Sequence, residues 1–164
     1  MELKTGDILH CKRKSLLSKL IKFFTQSEYT HTAIVVVLEK EICVVEMQNK
    51  GCEIKTFDNW KRKYNYEYVV SYSSVRPPSA RKIMSKSGVM GYDFELFIIK
   101  YPIRLILGRI LGREFKVKRS KNEDEKMICS EFVAWCYGWD DTQSFTPKKV
   151  YEKCFSESWA FRKN

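Results

Sequence analysis

The sequence lacks a long apolar run: its longest uninterrupted aliphatic stretch, Ala33 to Leu38, spans six residues, against the ~20 that a membrane-spanning helix requires. No integral helical membrane protein is expected. The opening Met1-Glu2-Leu3-Lys4-Thr5-Gly6-Asp7 shows no cationic start followed by an apolar stretch, so a cytoplasmic location is expected and a secretory signal is not. Glycine (7) and proline (4) are scarce in the 164 residues, which excludes collagenous and low-complexity classes. No C-x2-C pair exists among the six cysteines, and the Cys43 to Cys52 and Cys129 to Cys136 spacings match no common zinc knuckle, so no metal site is expected. Glycine-rich phosphate loops and nucleotide motifs are also missing, and no cofactor is expected.

What is present is charge and a core. Thirty Lys plus Arg against twenty Asp plus Glu leave a net charge of +10, with 44% hydrophobic residues. A positive balance attracts polyanions or an anionic membrane surface without naming a partner. No linker or repeat divides the chain, so one domain over residues 1–164 is expected. Without an export signal, free thiols are the default for the cysteines.

Gly6-Asp7 opens a strand over Ile8 to Lys12, and Ser15 fits the N-cap of an amphipathic helix carrying Leu16, Leu17, Leu20, Ile21 and Phe24. Thr30 to Leu38, rich in β-branched residues, reads as a strand buried on both faces, paired through a turn at Glu39-Lys40-Glu41 with a strand over Ile42 to Met47. Further strands are expected at Glu53 to Phe57 and Tyr66 to Tyr72, then a short helix at Ser79 to Val89. The long apolar and cationic stretch Tyr92 to Leu111 is interrupted by Pro102, and a polar loop follows at Lys121 to Lys126. Helical spacing covers Glu125 to Tyr137, and Thr146-Pro147 starts a last helix running through Cys154. The class is α+β, an antiparallel sheet packed with helices.

Only two histidines occur. His10 shows no partner signal, whereas His31 stands between two threonines at the head of the most apolar strand. With a two-residue turn at Glu39-Lys40, Leu38 faces Glu41, His31 falls opposite Gln48, and Glu46 is its diagonal neighbour. Glu46 or Gln48 could hold one ring nitrogen of His31. Glu46 lies among Val44, Val45 and Met47, and a carboxylate in such a segment needs a partner. Cys129, at the start of a helix after a polar loop, is the best-placed thiol, because the positive end of a helix favours thiolate. Cys43, Cys136 and Cys154 read as small buried hydrophobes.

Gly6-Asp7-Ile8-Leu9, Tyr29-Thr30-His31-Thr32-Ala33-Ile34-Val35, Glu46, Gly91-Tyr92-Asp93, Cys129-Ser130-Glu131-Phe132-Val133 and Thr146-Pro147, in that order, resemble the circularly permuted NlpC/p60 papain-like hydrolases. The lecithin retinol acyltransferase-like proteins belong to the same permuted group. Ordinary members place the cysteine before the histidine; here the histidine strand comes first, and the resemblance spans roughly residues 5–155. It implies a permuted papain-like fold, Cys129 as nucleophile, His31 as general base and Glu46 as the group orienting the imidazole. It also implies a pocket-side place for Tyr92 and Asp93, and Gln48 is kept beside them as a substrate-side residue.

The expected activity is thiol-dependent amide hydrolysis, or acyl transfer, through an acyl-enzyme on Cys129. Relatives act on cell-wall peptides or on lipid acyl groups. The cationic apolar segment Phe94 to Lys118 suits an acyl chain or an anionic membrane surface, so an N-acyl or lipid-like amide is preferred over a peptide. The competing expectation is a catalytically silent module whose basic surface binds nucleic acid or anionic membrane; no specific nucleic-acid module is recognised.

Overall fold

A computed structural model describes residues 2–14, 18–19, 22, 27–64, 66–72, 77–92, 112, 126–142, 145–157 and 159–163. Its elements run β1 (Ile8–Lys12), β2 (His31–Leu38), β3 (Glu41–Gln48), β4 (Gly51–Thr56), α1 (Phe57–Tyr64), β5 (Glu67–Tyr72), α2 (Ala80–Met84), β6 (Gly91–Tyr92), β7 (Lys126–Met127), α3 (Cys129–Tyr137), α4 (Pro147–Ser156) and β8 (Ala160–Lys163). Six strands form one antiparallel sheet in the order β4-β3-β2-β1-β5-β8, and β6 and β7 form a short parallel pair. The class is α+β, as the element pattern indicates.

The β2–β3 hairpin has the expected register. Leu38 pairs with Glu41 and Ile34 with Val45, across a turn in which Glu39 takes a positive φ of 54°. Continuing that register places His31 opposite Gln48. β1 lies on the other side of β2 and sets Cys11 beside His31.

Alternation along the strands builds a core on each face. Ile8, Ile34 and Val45 pack with Phe132 and Val133 of α3 and Val150 of α4. Leu9, Ala33, Val35 and Val44 pack on the opposite face with Trp60 of α1. Central strands covered on both sides explain why β2 reads as a continuous apolar run.

Several boundaries differ from the sequence reading. The strand expected at Glu53 to Phe57 is β4 and spans Gly51–Thr56, and Phe57 opens a helix that the sequence reading does not contain. Thr56 Oγ1 accepts the Asn59 N–H at 3.3 Å, so a hydroxyl at the strand end starts that helix. The segment before Cys129 is not helical: Lys126 and Met127 pair with Gly91 and Tyr92, and helix α3 begins at Cys129. β8 follows the last helix and pairs with β5, another element missing from the sequence reading. Thr146 caps α4 as expected, accepting the Lys149 N–H at 3.0 Å with Pro147 in the first turn. Most of the helix expected after Ser15 and the cationic apolar segment from residue 93 onward lie outside the described residues, as does most of the polar loop. No helix among the described residues is long and apolar enough to cross a membrane.

One close approach positions β6. Gly51 has φ 105°, and a β-carbon there would lie 2.4 Å from the Met90 carbonyl oxygen. The same carbonyl accepts the Cys52 N–H at 3.0 Å, docking residues 90–92 on the end of the β3–β4 hairpin. Only glycine allows both.

Candidate active site

His31 is the first residue of β2 and is buried, with Nε2 donating to Glu46 Oε2 at 2.8 Å. Glu46 is fully buried in β3, so its charge must be balanced inside the protein. Arg13 Nη2 lies 3.9 Å from Oε2 and Lys55 Nζ 3.9 Å from Oε1. Of the two partners left open by the hairpin register, His31 hydrogen-bonds Glu46. Burial by itself would raise the Glu46 carboxyl, but the His31 hydrogen bond and charge, the Gln48 amide and Arg13 together hold it down at about 2.

Cys129 opens α3, with the neighbouring Ile128 N–H donating to Glu131 Oε2 at 3.1 Å, which closes the first turn. The thiol is buried and shares a hydrogen bond with the His31 imidazole. With Nε2 committed to Glu46, Nδ1 is the ring nitrogen left to face the sulfur. By alternation His31 shares the face of Ala33 and Val35, while Cys129 packs with Ile34 on the other side. The two meet because one is the terminal residue of its strand and the other the first residue of its helix.

Burial pushes the Cys129 thiol up, but the His31 charge and hydrogen bond, the Thr32 backbone N–H and Arg13 bring it down to about 7. The other five cysteines are all raised by burial, Cys52 and Cys154 to about 12. All six thiols are buried and free, so burial alone does not separate them. The imidazole and its charged neighbours do. Burial and Arg13 lower His31, yet Cys129 and Glu46 outweigh them and raise it above its ordinary value. A depressed thiol beside a raised imidazole is the electrostatic setting of a thiolate–imidazolium pair.

The remaining expected site residues fall as follows. Gln48 ends β3 on the Glu46 side of the strand. Tyr92 lies in β6, paired with Met127 two residues before Cys129, so its backbone runs beside the approach to α3. Asp93 lies outside the described residues. His10, which lacks a partner signal in the sequence, shares a hydrogen bond with Ser71 across β1 and β5 and stands among Tyr29, Tyr151 and Phe161. Burial lowers it to about 3, so it is a neutral core histidine.

Two residues near the site were not singled out from the sequence. Arg13 approaches Glu46 and lies over the Tyr66 ring at 5.0 Å, and Tyr66 in turn meets the His31 ring edge-on at 6.5 Å. The alternation Leu9, Cys11, Arg13 carries the signal, because it continues the face of β1 that adjoins His31. Among the described residues no group of three or more His, Cys, Asp or Glu is placed to hold a metal ion.

A histidine strand preceding a cysteine helix, with both on one antiparallel sheet, is the permuted papain-like arrangement. The chain belongs to the permuted papain-like amidase enzymes of the YaeF/YiiX, C92 family, which it matches over residues 2–95. That span contains His31 and Glu46 and stops short of Cys129. The chain is also similar over 93% of both lengths to a crystal structure described as metalloprotein YiiX from Escherichia coli O157:H7, with a TM-score of 0.54 and 21% identity. This likeness shows a shared fold. No curated protein matches the chain.

Proposed function

We propose that the protein is a cysteine amidase in which Cys129 attacks an amide carbonyl, His31 moves the proton and Glu46 orients the imidazole. The observation that carries this is the buried 2.8 Å bond from His31 to Glu46 beside the one thiol of the six that is shifted toward thiolate. Membership of a papain-like amidase family supports the reaction class.

The Cys129 thiolate forms a C–S bond with the carbonyl carbon. The C–N bond then breaks as His31 delivers its proton to the leaving amine, giving a thioester. Water, deprotonated by His31, attacks the thioester and the C–S bond breaks; an alcohol or amine in place of water gives acyl transfer. The backbone N–H groups at the start of α3 are natural donors to the developing oxyanion, a role typically worth about 10²–10³ in rate per donor. Glu46 keeps Nδ1 turned to the sulfur.

An N-acyl or lipid-like amide is the preferred substrate over a peptide. The support is the sequence segment Phe94 to Lys118, which interleaves Phe97, Ile98 and Leu105 with Lys100, Arg104 and Arg109. Anionic membrane contact by the same segment belongs to this reading.

The test is the pH dependence of iodoacetamide alkylation, located by mass spectrometry at each cysteine, in the wild type and in His31→Ala, followed by turnover of N-acyl amides and peptides. Cys129 should react with an inflection near 7 and lose that reactivity without His31. A Cys129 no faster than Cys52 sinks the proposal and leaves a silent basic binding module.

A further inference from the structure

Beyond the three residues of the proposed reaction, a fourth side chain stands in their field. Arg13 follows β1 directly, two residues past Cys11, the strand neighbour of His31. Its backbone is tied down: the Arg13 N–H donates to Thr30 Oγ1 at 3.0 Å, and the Thr30 N–H donates to the Cys11 carbonyl at 3.0 Å. Its guanidinium lies over the Tyr66 ring at 5.0 Å with the side chain 23% exposed. Nε and Nη2 are buried and make no hydrogen bond. Nη2 lies 3.9 Å from the same Glu46 oxygen that His31 bonds at 2.8 Å. That separation is too long for a hydrogen bond and within range of a strong ion pair when one partner is fully buried. An arginine kept this close to a reacting pair, with Nε and Nη2 unbonded, contributes charge to it rather than hydrogen bonding.

We propose that Arg13 is a positioning residue of the same site, acting through its charge to balance Glu46 so that proton exchange between Cys129 and His31 stays near neutrality. This rests on the proposed amidase reading. Without such a cation, the buried Glu46 carboxylate would over-stabilise imidazolium and would repel the thiolate, leaving a base too strongly protonated to accept a proton. Arg13 offsets both effects, since a positive charge lowers a thiol and an imidazole alike.

The other groups facing the pair do not replace it. Cys11 of β1 and Tyr66 before β5 have pKa values raised by burial, while Gln48 of β3 carries no charge. Lys55 of β4 lies on the other carboxylate oxygen and forms its closest ion pair with Glu53.

The direction of two shifts separates this role from simple packing. Loss of the Arg13 charge raises both the Cys129 and the His31 inflections. Loss of packing that breaks the thiolate–imidazolium pair instead raises Cys129 and lowers His31. The experiment follows Cys129 alkylation by iodoacetamide and the His31 ring-proton shifts by NMR from pH 5 to 10, in the wild type, Arg13→Met and Arg13→Lys. His10 is the only other histidine, which makes the ring signals assignable.

In Arg13→Met both inflections should move up, with about a tenfold slower alkylation at pH 6 for each unit that the thiol rises. Arg13→Lys, which keeps the charge, should return both toward wild type. Unmoved inflections in Arg13→Met, opposite movements of the two groups, or a lysine variant indistinguishable from the methionine one each overturn the Arg13 role while wild-type Cys129 stays reactive. A wild-type Cys129 no more reactive than Cys52 overturns the amidase reading and this role with it.

Discussion

Thr32 presents its backbone N–H to the Cys129 thiol while the residue before it, His31, presents its ring, so two consecutive positions of β2 hold one sulfur. Proline is the one substitution that removes a peptide donor. Any other residue at position 32 keeps that donor, so what substitution can vary around the sulfur is the imidazole and the charges behind it.

Glu46→Gln should lower turnover by roughly 10²-fold, because a neutral amide no longer stabilises imidazolium. Gln48→Ala should change it little, since His31 bonds Glu46. Comparing kcat/KM of the two variants on one amide substrate checks this, and the reverse order would shift the orienting role by two residues along β3.

His10 makes stability depend on acid. It is neutral in the fold, with a value lowered by burial to about 3 against an ordinary 6.5. Its contribution is complete above about 6.5 and is lost as pH falls toward 3, at up to about 1.4 kcal/mol per pH unit. Denaturant unfolding at stepped pH should therefore show a shallower acid loss in His10→Gln than in the wild type.

Gly51→Ala should destabilise the protein by about 1–3 kcal/mol, because φ 105° is unfavourable for alanine and the new methyl meets the Met90 carbonyl. Thermal unfolding reads the loss. Hydrogen exchange should place the disturbance at Cys52, whose N–H bonds that carbonyl.

Trp60→Ala should cost about 3–5 kcal/mol in chemical denaturation, since Trp60 is a fully buried side chain in the core beneath α1. The Cys129 alkylation inflection should stay near 7 in the protein that remains folded, because Trp60 carries no charge toward the thiol.

Local pattern determined much of this protein. The β-branched run of β2, the two-residue turn at Glu39-Lys40 and the Thr146-Pro147 helix start are each legible because period, turn chemistry and capping act within a few residues. The hairpin register follows from that turn, and with it the closeness of Glu46 to His31. Tertiary structure decided the rest. α1 hides from pattern because Phe57–Tyr64 is mostly polar and cationic and buries Trp60 alone. β7 and β8 are strands only by pairing with distant partners. Both Glu46 and Gln48 share the face of β3 toward His31, and packing chose the carboxylate. Arg13 joins Glu46 through the β1–β2–β3 order of the sheet, and Ser71 reaches His10 from 61 residues away. Charges and hydrogen bonds between remote strands leave no period in the chain, so the side chains gathered around Cys129 and His31 become visible only once the sheet is assembled.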